Sequence, residues 1–235
     1  MKNFGNQSFS LRKPGKLTED MKTKHFYDYL PQRYADTNPG IGQVRNFIYK
    51  FKDGDKMAAK YAAKLVATLL WRWYSHKCSD YVIACTPCSS MLEYRKRFSY
   101  FSAVVADRCM QENAMSHVHI YGKRDALHRS SGHVVRDADG YCVMLDEDFF
   151  RGRKVIIFDD LITTGVTADN FAEQLKAVGA DVRGGLFLAQ TVKGIVKDTY
   201  WGQFAEHTMQ LIKWMDSVKT NDCRTAVSAI CAAHK

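Results

Sequence analysis

Residues 155–167 read Val155-Ile156-Ile157-Phe158-Asp159-Asp160-Leu161-Ile162-Thr163-Thr164-Gly165-Val166-Thr167. The apolar run predicts a fully buried strand over residues 154–158, then a loop over 159–166 and a helix over 167–178. Ala168, Phe171, Ala172, Leu175 and Val178 supply that helix with an apolar face, and Gly179 stands where a C-terminal cap belongs. A second strand follows over 182–188. Strand, helix and strand in this order predict a right-handed crossover in a mainly parallel sheet, and hence an α/β fold.

The motif has a chemistry of its own. Asp159 and Asp160 place two adjacent carboxylates at the C-terminal mouth of a buried strand, where ligands of open α/β sheets bind. Like charges so close repel, and no basic residue within the motif compensates them, so they call for hydroxyl donors, a cation, or both. Thr163, Thr164, Gly165, Val166 and Thr167 then offer hydroxyls and backbone N–H groups at a helix start. Such a turn suits a phosphate, because free amides and the positive end of the helix dipole converge there. Carboxylates for sugar hydroxyls beside a phosphate cradle describe a sugar-phosphate site.

This stretch resembles the binding motif for 5-phosphoribosyl 1-diphosphate (PRPP) of type I phosphoribosyltransferases. The resemblance implies the fold of that superfamily, a central mainly parallel sheet flanked by helices, with Mg²⁺ as cofactor. It implies that Asp159 and Asp160 hold the ribose 2′- and 3′-hydroxyls, directly or through Mg²⁺ and water, and that residues 163–167 hold the 5′-phosphate. The diphosphate would lie on a loop after an earlier strand, here Thr86, Pro87, Cys88 and Ser89. A mobile loop closes the site in many members; residues 122–133, with Lys123, Arg124 and Arg129 as cations for the leaving diphosphate, are its counterpart.

The order of segments is most similar to the ComF-type members. It comprises a lysine-faced helix at 54–76, a strand and proline-containing loop at 81–89, the basic stretch Arg95-Lys96-Arg97 opening a helix, and the motif itself. Two departures stand out: the chain has no cysteine-rich zinc ribbon, and Arg97-Phe98-Ser99-Tyr100-Phe101-Ser102 stands where an RGFNQ-like sequence is expected. Hypoxanthine–guanine enzymes carry an aspartate where this chain has Thr163, which disfavours a 6-oxopurine acceptor. The implied reaction moves the phosphoribosyl group to a nitrogenous small-molecule acceptor and releases diphosphate. The alternative is a PRPP- or nucleotide-sensing regulator without chemistry, and dimers are common in the superfamily.

Outward from the motif, the 235 residues carry a net charge of +9 and 46% hydrophobic side chains, which excludes disordered and fibrous classes. Residues 1–100 hold 18 basic and 8 acidic side chains, against 16 and 17 in the rest. This basic half reads first as a solvated face and secondarily as a surface for weak, sequence-independent nucleic-acid binding. Residues 1–50, with three of the four prolines, read as an arm and possible hood, 51–190 as the core, and 191–235 as a helical extension with helices near 204–215 and 226–233.

Met57, Ala58, Tyr61, Ala62, Leu65, Val66, Leu69, Leu70 and Trp73 predict an amphipathic helix, with Lys56, Lys60 and Lys64 on another face. A strand at 81–85, a helix at 98–112 and a strand at 117–121 follow. Seven scattered cysteines and no apolar stretch long enough to span a bilayer point to a reducing cytoplasm without membrane insertion. Cys85 and Cys88 form a CxxC that admits a redox reading. His117 and His119 read as packing residues on one strand face, and His128 and His133 first as exposed loop histidines and secondarily as contacts to the diphosphate.

The polar stretch 122–140 is too long for an ordinary connection, which marks it as a lid candidate. Limited proteolysis is expected to cut near Lys123, Arg124 or Arg129, with protection by PRPP and Mg²⁺. Equal cutting rates with and without ligand would remove the lid role.

Overall fold

The computed structural model describes residues 22–34, 39–123 and 141–193. Eleven strands and α-helices follow one another in this part of the chain: β1 (Lys22–Tyr29), α1 (Pro39–Lys52), α2 (Lys56–Tyr74), β2 (Tyr81–Cys85), α3 (Met91–Cys109), β3 (Val118–Tyr121), β4 (Cys142–Leu145), α4 (Glu147–Phe150), β5 (Lys154–Ile162), α5 (Val166–Ala177) and β6 (Asp181–Thr191). Four strands form one sheet in the order β1-β6-β5-β2, every neighbouring pair parallel. β3 and β4 make a separate antiparallel pair. The architecture is α/β, with a mainly parallel central sheet and helices packed on it, as the strand–helix–strand pattern predicts.

Most of α2 behaves as its period requires. Ala58, Ala59, Ala62, Ala63, Leu65, Val66, Leu69 and Leu70 are buried, and Asp55 caps the first turn by accepting from the Ala58 amide at 2.8 Å. Met57 departs from the expectation: it is 74% exposed, while Ala58 and Ala59 of the same turn carry the buried face.

The arm expected over residues 1–50 is a correction. Its described part joins the core, with β1 paired to β6 from Lys22↔Gly184 to Tyr29↔Thr191 and α1 packed on α2, β1 and β5. Ile41, Val44, Ile48 and Phe51 form the buried stripe of α1. α3 begins at Met91 rather than near residue 98, because Ser90 accepts from the Glu93 amide at 3.3 Å and starts the helix earlier. β5 also outruns its expected end at Phe158. β6 continues to Thr191 and pairs with the extra residues at Leu161↔Ala189 and Ile162↔Gln190. The helices expected near 204–215 and 226–233 lie outside the described residues. Among the described residues, no helix is long and apolar enough to cross a membrane.

Four phenylalanines join helices to sheet. Phe158 of β5 stacks on Phe101 at 4.0 Å between ring centroids, and Phe51 and Phe98 lie 6.0 and 6.1 Å from it. All four are fully buried. Phe158→Ala is expected to cost about 3–5 kcal/mol of unfolding free energy, read from the shift of a urea melting midpoint at unchanged slope. A loss under about 1 kcal/mol would contradict a central role for this ring.

Candidate functional site

β2 makes its last pair with β5 at Cys85↔Phe158, whereas β5 continues along β6 for four more residues. Asp159 and Asp160 therefore lie beyond the end of one neighbouring strand and still within the ladder of the other. This notch at the C-terminal side of a parallel sheet replaces the free loop that the sequence predicts from residue 159, and the β6 ladder fixes its backbone.

The compensating charges come from other elements. Asp160 is 3% exposed, with Lys52 Nζ 3.6 Å from its Oδ2 and Arg97 Nη1 3.7 Å from its Oδ1. Lys52 follows Phe51 at the end of α1, and Arg97 precedes Phe98 on α3, so the aromatic cluster that docks the two helices on β5 delivers both cations. Gly54 closes the corner. At φ +77° it lies against α3 so tightly that a Cβ would stand 2.6 Å from the Lys96 carbonyl oxygen.

Both ion pairs exceed hydrogen-bond length, and Asp160 Oδ2 and Arg97 Nε are buried without a hydrogen-bond partner. At an effective dielectric of about 20, charges about 4 Å apart attract by about 4 kcal/mol. Removing ions from water costs several kcal/mol apiece, so the cluster contributes little net stability. Burial acts to lower the Arg97 pKa, but the carboxylates around it, Asp160 foremost, raise it overall.

Asp159 differs from its neighbour. Its Oδ1 accepts from the Asp160 amide at 2.8 Å, and the Thr86 side chain is hydrogen-bonded to it. It keeps some solvent contact, yet its packed surroundings push its carboxyl well above the usual carboxylate range, with the charge of Asp160 adding to the effect. One hydroxyl donor that the acidic pair calls for is thus Thr86, from the end of β2. Tyr29, whose hydroxyl lies 3.0 Å from that of Tyr49, also feels Asp160, although burial is the main cause that raises its phenol pKa.

The Thr-Gly turn follows. Thr163 and Thr164 are exposed, and the Thr163 hydroxyl meets that of Thr191 at 2.8 Å. Gly165 is the N-cap of α5 at φ +81°, and no side chain caps the helix. By contrast, α2, α3 and α4 are capped by Asp55, Ser90 and Asp146. The first-turn amides of α5, at Val166 and Thr167, therefore remain available to an external acceptor.

In the 86–89 loop, Thr86, Pro87 and Cys88 are buried and Ser89 is partly exposed. The loop enters α3 directly at the Ser90 cap, so an anion there would meet the positive end of a 19-residue helix. Tyr141 donates from its hydroxyl to the Cys88 carbonyl at 2.9 Å. Tyr121 pairs with Cys142, so the segment expected to form a lid leaves and returns at one end of the β3–β4 hairpin, rooted beside this loop. Lys123 is exposed; Arg124, Arg129, His128 and His133 lie outside the described residues.

No family model matches this chain, and no curated protein matches it. Among the minor motifs, Cys85 and Cys88 are buried cysteines that form no disulfide. Burial, with Cys88 and Asp159 adding, raises the Cys85 thiol well above its usual range, so Cys85 is poorly suited to thiolate chemistry. His117 does not share the β3 face of His119 as expected: it ends a short 3₁₀ turn, bonds Asp146 Oδ2 at 2.9 Å and stacks on Phe149 at 3.6 Å.

Sequence reasoning missed Lys52, Tyr29 and Tyr49, and did not connect Arg97 with Asp160. The raised pKa of Asp159 has a sign that can be tested. The folded state holds a proton that the unfolded chain releases near 3.8, so stability present at low pH falls as pH rises toward the raised value. Asp159→Asn keeps the oxygen that accepts from the Asp160 amide and never ionises. It should melt like wild type near pH 4 and progressively above it toward pH 8; an unchanged difference across that range would contradict the assignment.

Proposed function

We propose that this chain binds PRPP at the end of β5 and transfers its 5-phosphoribosyl group to a nitrogenous acceptor, as type I phosphoribosyltransferases do. The observation that supports this reading is one arrangement: a carboxylate pair in a strand-end notch, followed after four residues by a left-handed Gly165 and an uncapped helix N-terminus. Ribose needs acceptors for two adjacent hydroxyls, and a 5′-phosphate needs amide donors one sugar length away. The 86–89 loop, joined to Asp159 through Thr86, borders the notch on the side where a diphosphate on C1 would lie.

The residues fit Mg²⁺ in a particular way. Among the described residues there is no group of three or more His, Cys, Asp or Glu side chains able to hold a metal. Mg²⁺ ordinarily takes one or two carboxylates and completes its shell with water and substrate oxygens. Asp159 and Asp160, whose Oδ2 has Lys52 3.6 Å away but no hydrogen-bond partner, supply that minimum, so the ion would be held jointly with the ligand. When bound, it neutralises charge on the departing diphosphate.

The chain's own groups do the remaining work in this reading. Asp159 and Asp160 orient the ribose, and residues 163–167 anchor the phosphate so that C1 faces the acceptor. The nitrogen lone pair of the acceptor forms the new bond to C1, and the C1–O bond breaks with its electron pair leaving on diphosphate. Positive charge on the sugar in between is stabilised by the adjacent carboxylates. Thr163 supplies no acid near the base, which favours acceptors other than 6-oxopurines.

Calorimetry with PRPP and Mg²⁺, followed by an assay of diphosphate release over a panel of nucleobases, tests this reading. Wild type should bind, Asp159→Asn should bind at least about tenfold more weakly, and one base should trigger release. Binding without release for any base would assign the chain to PRPP sensing. Absence of binding by folded wild type would reject the site.

A further inference from the structure

The cations expected to meet the diphosphate, Lys123, Arg124 and Arg129, all belong to the candidate lid. Two others are built into the helices. We propose that Arg97 and Lys52 form a fixed cationic seat for the diphosphate of the ligand, so that the polyanion is recognised by the folded core before any lid acts. The inference rests on the PRPP reading of the same site and goes beyond it in naming the diphosphate ligands.

Three observations carry it. First, both cations are charge-balanced by Asp160 at distances too long for a hydrogen bond. Arg97 has five N–H donors, its approach to Asp160 at 3.7 Å is too long for a hydrogen bond, and its Nε is buried without a partner. Lys52 stands off at 3.6 Å from the same carboxylate. Second, the side chains of Arg97 and Lys52 are 21% and 28% exposed over a carboxylate that is 4% exposed, so they lie on the solvent side of the acid.

Third, Arg97 projects from the helix that the 86–89 loop opens. It stands two turns after Ser90 and one turn after Tyr94, whose hydroxyl donates to the Cys85 carbonyl at 3.4 Å. The surroundings of Arg97 include Cys88 of that loop as well as the carboxylates Asp159 and Asp160. An anion bound at residues 86–89 therefore meets the α3 N-terminus, with Arg97 further along the same helix and Lys52 across Asp160 from it.

The chemistry of exchange is consistent with these contacts. Ribose hydroxyls that donate to Asp160 occupy its lone pairs, and the fork of Arg97 suits the paired oxygens of a phosphoryl group. Two fixed cations also give a pocket preference for a diphosphate over a monophosphate, since each phosphoryl group finds a partner.

The test must separate direct contact from an effect relayed through Asp160. It uses Mg²⁺-diphosphate as probe, with PRPP in parallel, and compares Asp160→Asn with the double variant Arg97→Gln/Asp160→Asn, in which the paired charges leave together. The double variant should bind diphosphate about tenfold or more weakly than Asp160→Asn alone, with a reduced salt dependence. Equal affinities would overturn the proposal and leave Arg97 as a partner of Asp160 only.

Lys52→Gln, at the partly exposed end of α1, gives a second measure if the Asp160 variants do not fold. It should weaken diphosphate more than inorganic phosphate, and equal loss for both, or none, would count against the seat. PRPP binding by wild type with no effect of either variant sinks this inference alone. Failure of wild type to bind PRPP sinks the reading on which it rests.

Discussion

The stacking of Phe158 against Phe101, with Phe51 and Phe98 edge-on around it, is the contact on which the site depends. Three of the four rings are next to a charged residue in the chain: Phe51 precedes Lys52, Phe98 follows Arg97, and Phe158 precedes the acid pair. Packing the rings on one side of the sheet therefore assembles Lys52, Arg97 and Asp160 at the strand end without any strong attraction among them. Apolar burial supplies the free energy, and the charged groups are carried into place by covalent adjacency. Gly54 completes the constraint by letting the α1–α2 corner touch the α3 backbone.

A site held this way can keep its polar groups unsatisfied. Asp160 Oδ2 and Arg97 Nε lack hydrogen-bond partners although they are buried, and the Asp159 carboxyl is driven above its usual range. Such features oppose stability, and they are of the kind that clusters at binding sites. The bare first turn of α5 belongs to the same pattern, since α2, α3 and α4 close their N-termini with side chains of their own.

The β5–α5–β6 unit was legible because its signals are local. An apolar run, a helical stripe from Ala168 to Leu175 and a glycine stop fix strand, helix and turn within thirty-odd residues. The end of β5 was not legible, because its last residues owe their strand conformation to the length of β6. α1 carried the stripe Ile41, Val44, Ile48 and Phe51, but Pro39, Gly40 and Gly42 at its start disguised it. The early start of α3 was signalled by Ser90 and Glu93 at capping-box spacing, a mark that the basic stretch after them overshadowed. Of the site, the acid pair and the Thr-Gly turn could be read directly, whereas the pairing of Asp160 with Lys52 and Arg97 is tertiary. Nothing in a sequence separation of 108 or 63 residues announces it.

In the proposed reading, the acid pair of the free protein is a partly neutralised seat for hydroxyl and cationic partners. Carbon NMR of the aspartate carboxyls, titrated with pH in the free protein and again with Mg²⁺ and PRPP, reads that state most directly. The account predicts that Asp159 titrates well above the usual carboxylate range when free and moves down on ligand addition, as new partners favour its ionised form. An Asp159 that titrates in the usual range and does not respond to the ligand would contradict it.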